Sequence, residues 1–414
     1  MTAGAWQPLE GLRVIEVSTY VAGPSGAMAL AQLGAEVVRV DPVGGATDVG
    51  RLPLAPSGVS IYWAGLNRAK RSIEIDLRSD EGRELVTDLL RAQAPAGGIL
   101  LTNAVGQEWL GYEALRAERE DLIHVQIEGL SSGGPAVDYT INSGVGLPLI
   151  TGPETLNQPV NHVLPAWDLL TGVHAAMAVL AAERHRTITG EGQSITVALA
   201  DVAVATMAHL GFVGDVAING RSRLREGNYL YGSFGCDFAT ADGERVMVVA
   251  LTPRQWKHLL EVTRLEQVVA ALETSLEADL SREEERYRHR EVLAALLRPW
   301  FSSRPYDLVA KELDASGVLW GSYRTVEQLV IDDDSLLAQS QIFASVDQPG
   351  IGTYPAPGSV LRSADNPPEV RLAPLLGEHT DEVLTELLGL GPERLEQLRA
   401  SGLIGGSDQA TRSG

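Results

Sequence analysis

The segment NHVLPAWDLLTGVHAAMAVLAAERHR, Asn161 to Arg186, sets a single carboxylate, Asp168, between a Pro-x-Trp entry and a long apolar run. Leu169, Leu170, Val173, Ala176, Met177 and Leu180 follow at helical spacing, which predicts a helix opening at the aspartate. Two roles are open to Asp168. Aspartate is a favoured helix N-cap, worth about 1 kcal/mol. A carboxylate beside a Gly-rich loop can also be a nucleophile, whose acyl intermediate splits one hard transfer into two easier steps.

A second candidate is the basic cluster LNRAKRS (66–72), where Arg68, Lys70 and Arg71 stand just before a predicted strand. A loop there could grip phosphates or simply face solvent. The helix start at Ala22 to Ser25, directly after the first predicted strand, offers backbone N–H groups and a positive dipole end to the same anion. The sole cysteine, Cys236, has no histidine near it in sequence and reads as a small packed hydrophobe rather than a nucleophile. His162, His174, His185 and His209 do not fall at metal-ligand spacing with carboxylates, so no metal is expected. Neither GVGLPL nor AGPSGAMA has the G-x-G-x-x-G spacing of a dinucleotide site, and the chain has no P-loop, H-E-x-x-H or G-x-S-x-G pattern.

The elements that must position these groups alternate. Residues 12–18 predict a strand, 22–35 a helix and 36–41 a strand, a βαβ unit with the helix start directly after the first strand. Strand 71–77, helix 79–93, strand 98–103, helix 106–119 and strand 121–129 continue the alternation, which predicts an α/β fold with a parallel, doubly wound sheet. The Gly/Pro/Ser/Asn-rich stretch 129–159 reads as a functional loop region. After the Asp168 helix, Gly190 and Gly192 are stop signals, and a strand and a helix close the first block near 217. The texture then changes. Residues 228–251 predict two strands around an Asp-Gly turn at 242–243, followed by helices, including a charge-rich one at 281–301. The expected division is a large domain, 1–218 completed by 346–414, and a small α+β domain, 219–345. Two short helices with a Gly/Pro break are expected at 375–405.

A chain of 414 residues with 44% hydrophobic residues can bury sizeable cores in two or three domains. Its net charge of −21 argues against nucleic acid or an anionic membrane as partner, though a local basic pocket for a small polyanion is compatible with it. One cysteine excludes an intrachain disulfide and suits a reducing compartment. The N-terminal segment has no basic region followed by a long apolar run, so no signal peptide or membrane span is expected, and the setting expected is cytoplasmic.

Several of these segments, in the same order, resemble the class III coenzyme A transferases (the CaiB/BaiF type), a family that includes formyl-CoA transferase, carnitine CoA transferases and α-methylacyl-CoA racemase. They are PLEGLRVIEVS with AGP (8–24), LGAEVVRVD (33–41), LNRAKRSIEIDL (66–77), LPAWDLLTG (164–172), ERHRTITGEGQSITVALAD (183–201) and PLLGEHTDEVL (374–384). DPVGG (41–45), YWAGLN (62–67), VDYTIN (137–142), VNHVLPAWD (160–168), GNYLYGSFGCDF (227–238) and QPGIGTY (348–354) are similar to the branch that moves CoA from C1 to C4 of one mesaconyl-CoA molecule. The resemblance implies a Rossmann-like large domain and a smaller one in an interlocked homodimer. It implies Asp168 as the nucleophile, passing through an acyl anhydride and an aspartyl-CoA thioester, with CoA as part of the substrate and no permanently bound cofactor. It also implies that Tyr20, Val21, Ala22, Asn67, Arg68, Lys70, Arg71, Asn103 and Ala104 line the CoA site. Gly129, Tyr139, Tyr229, Tyr231 and Gly232, with Gly235 nearby, are the expected acyl-side residues. Pro42 stands where many relatives carry a basic residue, and the segment after Asn103 lacks an arginine found in many of them, so phosphate binding is expected to lean on Arg68, Lys70 and Arg71. Transfer between two molecules, α-methylacyl-CoA racemisation with His162 or His124 as partner base, and a CoA-binding scaffold in which Asp168 is only a cap are the alternatives.

Overall fold

In the computed structural model, residues 6–92, 96–364 and 369–406 are described. The last residue of the helix expected at 79–93 and the polar C-terminal residues lie outside them. By their contacts the residues fall into two units. The first comprises residues up to Val145, His162–Gly220 and from Ser340 onward; the second comprises Gly146–Asn161 and Arg221–Gln339.

The first unit is built on six strands: β1 (Arg13–Val17), β2 (Glu36–Asp41), β3 (Arg71–Glu74), β4 (Ile99–Thr102), β5 (Ile123–Glu128) and β6 (Gln193–Ala198). They form one sheet in the order β3-β2-β1-β4-β5-β6, and every neighbouring pair is parallel. The order reverses between β1 and β4, the switch point at which an open α/β sheet leaves a crevice outside the carboxyl ends of its strands. The helices of this unit are α1 (Ala22–Gln32), α2 (Ile61–Leu66), α3 (Asp80–Arg91), α4 (Tyr112–Glu118) and α5 (Asp138–Gly144). After α6 (Leu147–Ile150), which lies in the second unit, come α7 (Ala166–Thr189), α8 (Leu199–His209) and α9 (Phe212–Asn219). The strands read apolar because helices cover both faces; Ile15, Val38, Ile73 and Leu100 are almost fully buried.

Four departures from the expected elements have physical causes. The stretch 129–159 is not all loop: α5 and α6 form within it, too short to show periodicity. The helix expected at 106–119 is a 3₁₀ turn, Glu108–Leu110, and then α4, separated by Gly111. The helix expected after β6 bends by 62° between α8 and α9, at a left-handed Gly211. The segment 146–161 packs with the second unit, where Arg225 donates to the carbonyls of Pro148, Thr151 and Gln158.

The second unit holds an antiparallel sheet of β7 (Phe234–Ala239), β8 (Arg245–Ala250) and β9 (Leu319–Ser322). It also holds α10 (Pro253–Thr263), α11 (Glu266–Leu276), α12 (Glu283–Arg288), α13 (Arg290–Ser302), α14 (Tyr306–Ser316), α15 (Val326–Ile331) and α16 (Leu336–Gln339). The charge-rich helix expected at 281–301 is thus two helices broken at His289. The core of this unit is aromatic, with Phe238 stacked on Phe301 at 4.2 Å. The chain then returns to the first unit with the hairpin β10 (Phe343–Gln348) and β11 (Gly352–Pro357), followed by α17 (Thr380–Leu388) and α18 (Pro392–Ala400). Val383, Leu384, Leu395 and Leu398 of these last helices complete the large core against Ile73, Leu85 and Leu89. Among the described residues no single helix is long and apolar enough to cross a membrane.

The packing that matters most for the site is between α1 and α7, and glycines permit it. A Cβ on Gly172 would stand 2.7 Å from the Ala22 carbonyl oxygen and 2.2 Å from Ser25 Oγ; one on Gly26 would stand 2.5 Å from the Gly172 carbonyl oxygen. Gly172 lies one turn beyond Asp168 on the same face, so this crossing sets Asp168 near the start of α1. Gly→Ala inside a helix ordinarily gains about 1 kcal/mol. Here Gly172→Ala is expected instead to cost about 1–3 kcal/mol by forcing the two backbones apart. Thermal unfolding should show a lowered Tm, and turnover should fall with it.

Candidate functional site

The helix that carries Asp168 begins two residues before it, at Ala166, and its N-cap residue, Pro165, makes no side-chain capping bond. The cap comes from elsewhere. Asp138, the first residue of α5 and 1% exposed, accepts through Oδ2 from the backbone N–H of Trp167 (2.7 Å) and of Asp168 (3.2 Å). Its Oδ1 meets His162 Nε2 at 2.7 Å. The Trp167 indole N–H donates to Asn142 Oδ1 at 3.2 Å, tying α5 to α7 a second time. The capping role is therefore filled by Asp138 and not by Asp168. Asp138 satisfies the orphan N–H groups, and the Asp168 carboxylate has no hydrogen-bond partner among the described residues.

That carboxylate is half-buried at the positive end of α7. Burial pushes its pKa up, the Asp138 charge pushes it further, and Arg51 pulls it back, leaving it at about 6 instead of the ordinary 3.8. A carboxylate of this kind is still ~90% ionised at pH 7 and is a stronger nucleophile than an unperturbed one. Around it stand Tyr62 and Tyr139, since the charge of Asp168 and the hydroxyl of Tyr139 both act on the Tyr62 phenol. Tyr139 donates to the Val163 carbonyl at 3.3 Å and packs edge-on against His162.

The β1–α1 turn is held from both sides of the switch point. Tyr20 adopts φ 68°, a left-handed conformation that costs a non-glycine residue about 1–3 kcal/mol. Its N–H donates to Asp48 Oδ2 at 3.0 Å, and the preceding Thr19 gives its N–H to Asn103 Oδ1 (3.1 Å) and takes the Asn103 amide on its carbonyl (2.9 Å). Tyr20, Val21, Ala22, Asn103 and Ala104 are thereby gathered at the carboxyl ends of β1 and β4. Gly129 follows β5; a Cβ there would meet the Ala136 nitrogen at 2.6 Å, so the start of the 129–136 loop folds tightly back on itself.

The basic cluster is placed differently from the expected phosphate grip. Lys70 is 4% exposed, and its ammonium lies 2.7 Å from Glu16, 2.8 Å from Asn67 Oδ1 and 2.9 Å from the Pro24 carbonyl, so its three donors are spent inside. Burial pulls its pKa down to about 8, against the raising effect of Glu16. Asn67 also accepts from Arg39 and donates to the Trp63 carbonyl. Arg39, fully buried on β2, bonds Asp41 and Asp48 as well. These groups form one buried network linking β1, β2 and the segment before β3, and Asp48 joins it to Tyr20. Arg71 pairs with Glu36, Glu382 and Glu386. Arg68 is 5% exposed and donates to the Tyr354 hydroxyl at 3.0 Å, with its other terminal nitrogen buried and unpartnered among the described residues. An external phosphate would have to displace Lys70 or Arg71 from these partners.

Tyr229, Tyr231 and Gly232 belong to the second unit. Tyr229 lines a cavity of about 620 Å³ inside that unit, together with Cys236, Asp237 and Arg290. Tyr231 packs edge-on against Tyr287 at 5.2 Å, and Gly232 turns at φ 81°. The Cys236 thiol is buried, and burial pushes its pKa up to about 12, leaving it protonated at neutral pH. Sequence reading passed over Asp138, Arg51 and Tyr62. Only the resemblance segments VDYTIN and YWAGLN gave two of them any signal, and nothing in the Gly/Pro-rich surroundings of Arg51 marks it.

Comparison with known proteins identifies the family. Over 404 residues the chain is 48% identical to 2-methylfumaryl-CoA isomerase of Chloroflexus aurantiacus, covering 97% of this chain and 99% of that protein. It is 30% identical to succinyl-CoA:mesaconate CoA-transferase of Haloarcula hispanica, covering 94% and 98%. A crystal structure of a CaiB/BaiF family protein from Brucella suis superposes with a TM-score of 0.74 at 26% identity, over 92% of this chain and 99% of the other. The model of CoA-transferase family III matches residues 9–380, and the chain belongs to that family of enzymes.

Proposed function

We propose that this enzyme moves CoA from C1 to C4 of mesaconyl-CoA (2-methylfumaryl-CoA), with Asp168 as the nucleophile. The observation that carries the reading is the Asp168 carboxylate itself, half-buried at the α7 N-terminus and relieved of capping by Asp138. The relative at 48% identity, whose name states this reaction, supports the choice of substrate.

In the first step an Asp168 oxygen attacks the C1 thioester carbonyl. The C–S bond breaks, CoA leaves as thiolate, and a mixed anhydride joins Asp168 to mesaconate. The thiolate then attacks Cγ of Asp168 and expels the C1 carboxylate, leaving an aspartyl-CoA thioester. The C4 carboxylate of the released diacid attacks that thioester, which sends the thiolate out again and forms the anhydride through C4. Attack of the thiolate at C4 restores the Asp168 carboxylate and completes the isomer. No proton or electron is gained or lost overall, so CoA enters only as part of the substrate and no bound cofactor is required. The anhydrides are labile, and water must be kept from them while they last.

The CoA moiety is assigned to the switch point, along Tyr20, Val21, Ala22, Asn103 and Ala104. Asn67 and Lys70 act there chiefly through the buried network they hold, and Arg68 and Arg71 through their separate contacts with Tyr354 and with Glu36, Glu382 and Glu386. The acyl side is assigned to Gly129 and Tyr139, with Tyr229, Tyr231 and Gly232 contributed by the small domain of an interlocked homodimer, in a cytoplasmic setting. The deciding experiment mixes pure protein with mesaconyl-CoA and no added acid, and resolves the products by mass and chromatography. The expected product is the C4 thioester, with no label entering when labelled free mesaconate is present. No conversion would refute the reading; label in the thioester pool would replace it with transfer between molecules.

A further inference from the structure

The charge of Arg51 reaches the Asp168 carboxylate. Arg51 is exposed, and among the described residues its guanidinium makes no ion pair or hydrogen bond. Its contacts are with two rings, Tyr20 at 5.3 Å and Tyr62 at 5.1 Å from their centroids. A guanidinium held over ring faces is fixed in plane without spending its N–H donors, so the fork that matches a carboxylate stays open. The setting is built. The Arg51 N–H donates to the Asp48 carbonyl (3.1 Å), and its own carbonyl accepts from Ser60 Oγ (2.5 Å). Ser60 also caps α2 at Trp63, one residue from Tyr62, while Asp48 takes the Tyr20 N–H. Arg51 and both rings are thus fixed through the same two buried residues. The Tyr62 hydroxyl, buried, has no hydrogen-bond partner among the described residues, although the charges of Asp168 and Arg51 both reach it. A nucleophilic carboxylate, an unspent cation and an unspent phenol therefore share one corner of the first unit.

We propose that Arg51, held between Tyr20 and Tyr62 and joined by the Tyr62 hydroxyl, clamps the carboxylate at the end of the acyl group that Asp168 is not attacking. The site accordingly selects CoA thioesters of short dicarboxylic acids. The inference rests on the transfer chemistry given above and adds a task to it. While CoA sits on Asp168, the diacid is free, and the clamp holds one of its carboxylates while the other attacks. Because either end fits the same cation, one arginine serves both halves of the isomerisation.

The test separates this assignment from the identity of the natural substrate. Succinyl-CoA and butyryl-CoA have the same chain length and differ by a carboxylate in place of a methyl group. Each is mixed with the enzyme, and formation of the Asp168–CoA thioester is followed by intact-protein mass, which needs no isomerisation. Wild-type protein should prefer succinyl-CoA by at least about tenfold. Arg51→Gln should remove the preference, Arg51→Lys should keep part of it, and Tyr62→Phe should reduce it. The butyryl-CoA rate of each variant reports whether its site is intact. Equal wild-type rates, or a preference that survives Arg51→Gln, would overturn the assignment. With mesaconyl-CoA, Arg51→Gln should also release about tenfold more free mesaconate per turnover; release at the wild-type level would refute the holding role.

Discussion

Replacing Asp168 with asparagine is expected to abolish turnover and, at the same time, to make the protein harder to unfold. The first effect follows from the chemistry, since an amide cannot form the anhydride; a loss of on the order of 10⁴-fold or more in kcat is expected. The second follows from the environment of the carboxylate. Burial and the Asp138 charge raise its pKa from 3.8 to about 6 in the folded protein, so ionising it there is harder than in the unfolded chain. Below about pH 4 both states are protonated and the group costs nothing. Between about 4 and 6 the unfolded chain ionises first, and above 6 the full penalty is present. About two units would correspond to ~3 kcal/mol, and solvent screening of a half-buried group reduces this to about 1–2 kcal/mol. The asparagine variant should therefore show a Tm a few degrees higher at pH 7.5, with the advantage fading toward pH 4. A Tm at pH 7.5 at or below that of the wild type would mean that the carboxylate is not held in an adverse environment.

The sequence posed the choice between cap and nucleophile for Asp168 but gave no sign of the adverse burial of its carboxylate. Alternation of β-branched runs with helix formers placed β1, α1 and β2 almost residue by residue, because each of these elements satisfies its own backbone and buries a face its own sequence specifies. The same reasoning misplaced the start of α7. It looked for a cap inside the segment and found Asp168, whereas the capping carboxylate belongs to Asp138, thirty residues earlier. Asp138 was hidden because it opens a helix of seven residues inside a stretch rich in breakers, too short to show a period.

The basic cluster shows the complementary failure. Sequence displays three cations in LNRAKRS but not what they meet. Glu16 and Pro24 reach Lys70 from β1 and α1, and Glu36, Glu382 and Glu386 reach Arg71 from both ends of the chain. Arg51 is the reverse case, a lone cation in an unremarkable loop whose meaning comes from rings on two other elements. Charge composition is local, whereas charge pairing is tertiary. Which cations stay available to a substrate can be read only after the sheet has assembled.

Asp138 itself offers the most discriminating test of how the nucleophile is tuned. Its carboxylate accepts from two α7 backbone N–H groups and meets His162, so it holds the helix end, and its charge opposes ionisation of Asp168. On the proposed chemistry, in which only the ionised Asp168 attacks, wild-type kcat/KM should fall about tenfold per pH unit below about 6. Asp138→Asn keeps the shape and one acceptor oxygen while removing the charge. Weakening the cap should cost about 0.5–2 kcal/mol of stability. Removing the like charge should let Asp168 ionise more readily, so the acid limb moves to lower pH. The plateau rate should fall as well, by about tenfold, since a less basic carboxylate is a weaker nucleophile on a less firmly held helix end. A residue that merely shored up α7 would lower the rate equally at every pH and leave the limb at about 6. Loss of stability together with a limb displaced toward acid can arise only if the group that caps the helix also sets the proton affinity of the nucleophile, and a pH–rate profile beside a melting curve measures both.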